Sequence, residues 1–239
     1  MYDKDEMKAS LQGLEYIATD VDDTLTINGM LTSEVIRAVE ALRSAGLKII
    51  LVTGRSGGAC TTLSQYLPVE MVIAENGGVI IKGHDIASVD LPADHSKRLQ
   101  TCFDTVAINI PHMVKAQDNP FRLTDRSIDN RSLRQQDIEY IREIAGAYGL
   151  TTVVSSVQTH ILSPDCSKGR TLKSIVHDKI TVTVGDSAND ESMFDPDLFP
   201  LSVGVANVRN YLPLIRHKPR WIMTQEQGYG FIELANLVK

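Results

Sequence analysis

Cysteine is scarce in this chain, as are aromatic residues and blocks of basic charge, and each shortage removes a class of protein from consideration. Three cysteines, Cys60, Cys102 and Cys166, are odd in number and far apart, which argues against a disulfide framework and against a CxxC zinc or redox site. The six histidines show no HxH or HxxxH pairing, so a bound metal is expected to be a hard cation on oxygen ligands, which points to Mg2+. Formal net charge is −6 and no run of Lys or Arg exceeds two, so the phosphate-neutralising footprint of a nucleic-acid binder is missing. The longest apolar runs, such as IILV at 49–52, are far too short for a membrane span, and MYDKDEMKAS lacks the apolar stretch of a signal peptide. The expectation is a cytoplasmic protein that meets neither nucleic acid nor membrane.

What is present is a folded-protein composition, 43% hydrophobic and 23% charged, arranged in a regular alternation. LTSEVIRAVEALRSAG places Val35, Ile36, Val39 and Leu42 on one helical face, with Thr32 or Ser33 able to cap it and Gly46 to stop it. LKIILV follows at once and reads as a strand buried on both faces. The alternation continues through TGRSGGACTTLSQYL and MVIA, then GRTLKSIV, ITVTV, LSVGVA and RWIM. It predicts an α/β fold, a Rossmann-like parallel sheet with helices on both faces. The middle of the chain breaks the rhythm. ENGGVIIKGHDIASVD reads as a hairpin, and SLRQQDIEYIREIAGAYG as a helix with a Ser132–Gln135 capping box and Ile138, Ile141, Ile144 and Tyr148 on one face. TTVVSS and THILS follow as two short strands. The expectation is a small α+β lobe over 86–162, inserted into a core made of 1–85 and 163–239.

Four short motifs carry chemistry. YIATDVDDTLT sets three carboxylates, Asp20, Asp22 and Asp23, within four positions after a strand, a costly cluster unless a cation or a reaction uses it. Asp20 and Asp22, two residues apart, can point to the same side. VTGR puts Thr53 and Gly54 at a strand-to-helix turn, where a hydroxyl and free N–H groups can cradle a phosphate. Neither GxGxxG nor GxxxxGK[ST] is present, so this is no nucleotide P-loop. DCSKGRTLKSIV puts Lys168 at a helix start, where a cation opposes the dipole unless an anion sits nearby. VTVGDSANDESMF ends a strand in Gly185 and Asp186, with Asp190 four residues on, a second carboxylate-tipped strand end suited to a hard divalent cation. Taken singly these are a turn, another turn, a surface lysine and a helix cap. Taken together, at the carboxyl ends of strands in one parallel sheet, they read as one site.

In these residues and in their order the sequence resembles the haloacid dehalogenase superfamily of phosphohydrolases. DVDDT looks like its first motif, Thr53 its second, Lys168 its third and GDSAND its fourth, and the insert between the second and third looks like a Cof-type cap. Length, layout and the ENGG turn at 75–78 are similar to archaeal-type phosphoglycolate phosphatases and sucrose-phosphatase-like members. The resemblance implies a Mg2+-dependent phosphatase that acts on a small phosphomonoester, a sugar phosphate or a phosphoglycolate-like compound, through an aspartyl-phosphate. It implies Asp20 as nucleophile and Asp22 as acid and base. It places Mg2+ on Asp20, the main-chain carbonyl of Asp22 and Asp186, with Asp190 a ligand or close neighbour. Thr53, Gly54 and Lys168 would bind the phosphoryl group and Asn189 would orient the site. Asp23 stands where many Cof-type members carry Gly, and is expected to face solvent. Arg122 and Arg126 in FRLTDR are candidate anion contacts in the cap. The alternatives are a sugar phosphomutase on the same fold, a receiver-type phosphoacceptor signalling domain and a catalytically silent binding protein.

Overall fold

In the computed structural model, which describes residues 3–238, the chain begins α1 (Lys4–Ser10), β1 (Tyr16–Thr19), α2 (Ser33–Ser44), β2 (Lys48–Val52), α3 (Gly57–Tyr66), β3 (Met71–Ala74), β4 (Val79–Lys82) and β5 (Asp85–Ser88). It continues α4 (His95–Asn109), β6 (Asp125–Asp129), α5 (Gln135–Ala147), β7 (Thr151–Val154) and β8 (Gln158–Leu162). It closes α6 (Lys168–Val176), β9 (Thr181–Gly185), β10 (Leu201–Gly204), β11 (Trp221–Ile222) and α7 (Gln227–Val238). No helix among the described residues is long and apolar enough to cross a membrane.

The large sheet has the order β11-β10-β9-β1-β2-β3-β4-β5, parallel from β11 to β3 and closed by the antiparallel β4–β5 hairpin. Its central strands are buried at nearly every position and largely apolar, because helices cover both faces. Ile17, Ile49, Leu51, Val72, Val182 and Val184 join the cluster that includes residues of α2 and α7, while Ala18, Ile50, Val52 and Ile73 meet Leu172 and Val176 of α6. β1 pairs with β2 on one side and β9 on the other. From β1 the chain first builds outward on the β2 side and returns later on the β9 side. That reversal opens a crevice at the carboxyl ends of β1 and β9, where sheets of this kind take ligands.

A second, antiparallel sheet, β6-β8-β7, packs with α4 and α5 around Leu99, Phe103, Ile128, Ile141 and Ile161. β5 spans the expected boundary at 85/86 and stays paired with β4 in the large sheet. Two local expectations need correction. α5 begins at Gln135, with Asp137 accepting the Arg134 N–H, so there is no Ser132–Gln135 box. Ser132 lies in a short turn before it, donating to the Asp129 carbonyl and accepting from the Val114 N–H. In α2, Thr32 sits at the N-cap without a side-chain bond, and Ala38 rather than Ile36 completes the buried face.

Candidate active site

β1 and β9 end side by side, and Asp20 and Asp186 follow them directly. Lys168, the first residue of α6, is 1% exposed and donates from Nζ to Asp20 Oδ1 and to Asp190 Oδ1, both at 2.7 Å. The other oxygen of Asp190 accepts the N–H groups of Asp186 (2.9 Å) and Ser187 (3.1 Å), which pins the turn after β9. Two glycines make this approach possible. A Cβ on Gly185 would lie 2.6 Å from Asp190 Cβ, and one on Gly169 would lie 2.0 Å from the Ser192 carbonyl oxygen. Asp186 accepts from Thr24 Oγ1 at 2.9 Å and from Asn207 Nδ2 at 3.1 Å.

Asp20, Asp186 and Asp190 each offer an oxygen within 4.8 Å of the others, all buried. Burial pushes the Asp20 carboxyl up to about 7, against Lys168, which pulls it down, and with Asp190 and Asp22 adding to the rise. Burial, then Asp190 and Asp20, hold Asp186 well above the usual carboxylate range. Burial alone would lower the Lys168 ammonium, but Asp190 and Asp20 overcome it and raise it. Three buried carboxylates thus cluster beside one ammonium that bonds two of them, an all-oxygen, electron-rich donor set that fits a hard divalent cation.

Asp22 lies on the same cleft, but both its oxygens are held by Arg55, which donates from Nε at 2.7 Å and from Nη2 at 2.6 Å. This fork, hydrogen-bonded to Asp22, raises the guanidinium's pKa. Asp23 does not simply face solvent. It adopts φ 56°, the left-handed region that glycine enters without strain. Its carboxylate accepts from Gln227 Nε2 at 3.1 Å, and its carbonyl from Asn207 Nδ2 at 3.0 Å, which ties the turn to the start of α7.

Thr53 is fully buried. Its N–H is spent on the Ile73 carbonyl and its Oγ1 accepts the Arg55 N–H, so in this turn it is the Gly54 N–H that has no partner among the described residues. Asn189 accepts from Ser187 Oγ and donates to Asn76 Oδ1 at 3.4 Å, beside the cleft.

The opposite wall comes from the second sheet. Arg122 is buried and donates to Asp118, Asp125, Gln158 and the Gly54 carbonyl, so it is a pin between layers and not an open anion contact. Arg126 turns to Gln100 and to the carbonyls of Arg122 and Asp125. His160 on β8 is buried, with Nδ1 2.9 Å from Asp125 Oδ2. Glu75, in the left-handed region at φ 52°, receives Gly57 N–H, Leu123 N–H, Thr124 N–H and Thr124 Oγ1 on one buried carboxylate. Phe121 packs on the start of α3, where a Cβ on Gly58 would lie 2.6 Å from Phe121 Cβ. The glycine pair at 57–58 therefore serves close contact between the layers. Between the two walls the cleft holds only about 20 Å3, room for about one water. A cavity of about 420 Å3 adjoins it, with Lys168, Asn76 and Asn189 in its lining.

Against known proteins, residues 17–112 match the family model of haloacid dehalogenase-like hydrolases. A phosphoglycolate phosphatase of Archaeoglobus fulgidus is 31% identical over 227 residues, 91% of this chain and 93% of that protein. The chain belongs to the haloacid dehalogenase-like hydrolases. Within that family it is a phosphoric monoester hydrolase, and a phosphoglycolate phosphatase of Methanothrix thermoacetophila matches 93% of the hydrolase at 27% identity and 96% of its own length. Two solved structures share the fold. A Thermoplasma acidophilum protein covers 94% of this hydrolase and 99% of itself at TM-score 0.75 and 20% identity. The sucrose-phosphatase of Synechocystis covers 93% and 97% at TM-score 0.70 and 15% identity.

Proposed function

We propose that this hydrolase releases phosphate from a small phosphomonoester, a sugar phosphate or a phosphoglycolate-like compound, through an aspartyl-phosphate on Asp20, with Mg2+ as cofactor. The observation that carries the reading is the shared buried ammonium. Lys168 holds Asp20 by Oδ1, while Asp20 Oδ2 takes no hydrogen bond among the described residues and Asp20 lines the cleft.

Asp20 Oδ2 forms the new bond to phosphorus as the bond from phosphorus to the leaving oxygen breaks. Asp22 gives that oxygen its proton, then takes one from the water that hydrolyses the aspartyl-phosphate, a role typically worth ~10²–10⁴-fold. To do so it must regain an oxygen from Arg55. Lys168 spends two of its three N–H donors on carboxylates. The third, with the Gly54 N–H and the Thr53 hydroxyl, serves the phosphoryl oxygens, and Asn189 orients the site. Asp20, Asp186 and the Asp22 carbonyl would hold Mg2+, with Asp190, already committed to Lys168 and two N–H groups, next to them. When bound, the ion offsets the excess carboxylate charge and that of the phosphoryl group.

Residues 86–162 act as a cap on a core of 1–85 and 163–239, with all of β5 kept on the core. The cleft beside Asp20 has only about 20 Å3, which supports a cap that opens to admit substrate. Three buried free cysteines accord with a cytoplasmic setting. The test is phosphate release from a panel of small phosphoesters by the native protein and by Asp20→Asn, each with Mg2+ and with EDTA. Release by the native protein in Mg2+ alone is expected. Equal release by the variant sinks the nucleophile, and durable phosphorylation of Asp20 without release favours a receiver-type role.

A further inference from the structure

Glu75 is a fully buried carboxylate that the chemistry above leaves without a role. It follows β3 directly and opens three successive left-handed residues, with Asn76 at φ 53° and Gly77 at φ 103° after its own 52°. For a glutamate this backbone is strained, and it persists only where the surroundings over-determine it. Here the surroundings are the turn assigned to the phosphoryl group. The Glu75 N–H donates to the Arg55 carbonyl at 3.0 Å, and the Asn76 N–H to the Thr53 carbonyl at 3.1 Å. Glu75 Oε1 accepts the N–H of Gly57, the first residue of α3, at 2.9 Å. Three bonds from two adjacent residues thus hold the turn at Thr53, Arg55 and Gly57, on either side of the Gly54 N–H.

The same carboxylate reaches across to the cap. Its Oε2 accepts the Thr124 N–H at 2.7 Å, Thr124 Oγ1 at 2.8 Å and the Leu123 N–H at 3.0 Å. A carboxylate taken out of water needs such donors, and here they come from both layers at once. Two more bonds join this stretch to the turn. The Ser56 N–H donates to Asp118 Oδ2 at 3.3 Å, and Arg122 Nη1 donates to the Gly54 carbonyl at 3.0 Å. We propose that Glu75 is a positioning residue, which makes the cap segment 118–124 a structural part of the phosphate-binding turn. The Gly54 N–H and the Thr53 hydroxyl are then aimed only while that segment is seated. This rests on the phosphatase reading and adds to it a residue outside the lining of the cleft.

The experiment measures kcat on p-nitrophenyl phosphate with Mg2+, and amide hydrogen exchange at Gly57 and Asn76. The proteins are native, Glu75→Gln, Thr124→Val, their double variant and Ile141→Ala, which loosens the cap's own core away from Glu75. Glu75→Gln puts an NH2 where one oxygen stands, so donor meets donor either at Gly57 or at Thr124, and the link breaks. It should lower kcat by roughly tenfold or more. Thr124→Val, a near-isosteric change on the cap, should lower it by a smaller factor, and the double variant should lose no more than Glu75→Gln alone. Exchange at Gly57 and Asn76 should quicken in all three, while Ile141→Ala lowers Tm and leaves kcat and both amides unmoved. Native kcat in folded Glu75→Gln, losses that multiply in the double variant, or an equal response to Ile141→Ala overturns the proposal and leaves the phosphatase standing. If Glu75→Gln does not fold, Thr124→Val decides, and unmoved exchange at Gly57 refutes the link. No turnover of any ester by the native protein overturns the phosphatase reading, and with it the part of Glu75 in the reaction.

Discussion

Asp20→Asn probes the charge balance of the site without any turnover. Burial, opposed by Lys168, carries the Asp20 carboxyl from its ordinary 3.8 to about 7. One unit corresponds to about 1.4 kcal/mol, so ionising Asp20 in the metal-free folded protein costs about 4 kcal/mol of stability. The sign follows from proton binding. Between about pH 4 and 7 the folded state keeps a proton that the unfolded chain has lost, so stability falls as pH rises through that window and levels off above it. Asparagine cannot ionise and escapes the loss. In EDTA, the variant should exceed the native protein by about 4 kcal/mol at pH 8, a gap of roughly 10 °C in Tm for a chain of this size, and the two should converge toward pH 4. Asp186, also raised by burial, titrates in both proteins, so most of its contribution cancels in the difference. Thermal unfolding at half-unit pH steps is the assay. Parallel curves with one common pH slope would refute the claim that Asp20 ionises against its burial.

Three other outcomes follow from the same geometry. Mg2+ should raise Tm more at pH 8 than at pH 5, because the carboxylates that receive it are then ionised, and Asp186→Asn should remove most of that increment without any substrate present. Arg55→Ala should cost less than about 1 kcal/mol in urea unfolding, because the fork to Asp22 is open to solvent. A large loss of kcat/KM in this stable variant would then report Arg55's part in the reaction; unfolding in mild urea would contradict the argument. Gly58→Ala should lower stability by about 1–3 kcal/mol through its 2.6 Å approach to Phe121, and a neutral result would show that the two layers yield freely at that seam.

The parts of the fold that depend on local pattern were legible in the sequence. Periodicity found α2, α3, α5 and α6 and most of the buried strands but passed over α1, α4, α7 and β6, and the four motifs pointed to Asp20, Asp22, Lys168 and Asp186, which the fold gathers at neighbouring strand and helix ends. What escaped has no local signature. Arg55 sits two residues past Thr53, yet nothing nearby says that it grips Asp22, 33 positions away. Asp125 and His160 meet across the β6–β8 pairing, and Glu75 gathers N–H groups from Leu123 and Thr124, so both depend on which strands pair and how the layers stack. Arg122, a candidate anion contact in the sequence, turns out differently for the same reason, because Asp118 and Asp125 close around it. Asp23 was unreadable because its partner, Gln227, is 204 residues distant.

The narrowness of the cleft bears on how binding would be measured. On the cap opening proposed above, a cleft of about 20 Å3 stands closed before an ester arrives. Substrate then engages only the open fraction of molecules, and the apparent affinity is weaker than the intrinsic one by that fraction. Association should therefore saturate with rising ester concentration at the opening rate. A substitution that loosens the seam could tighten apparent binding even as it exposes the proposed aspartyl-phosphate to bulk water.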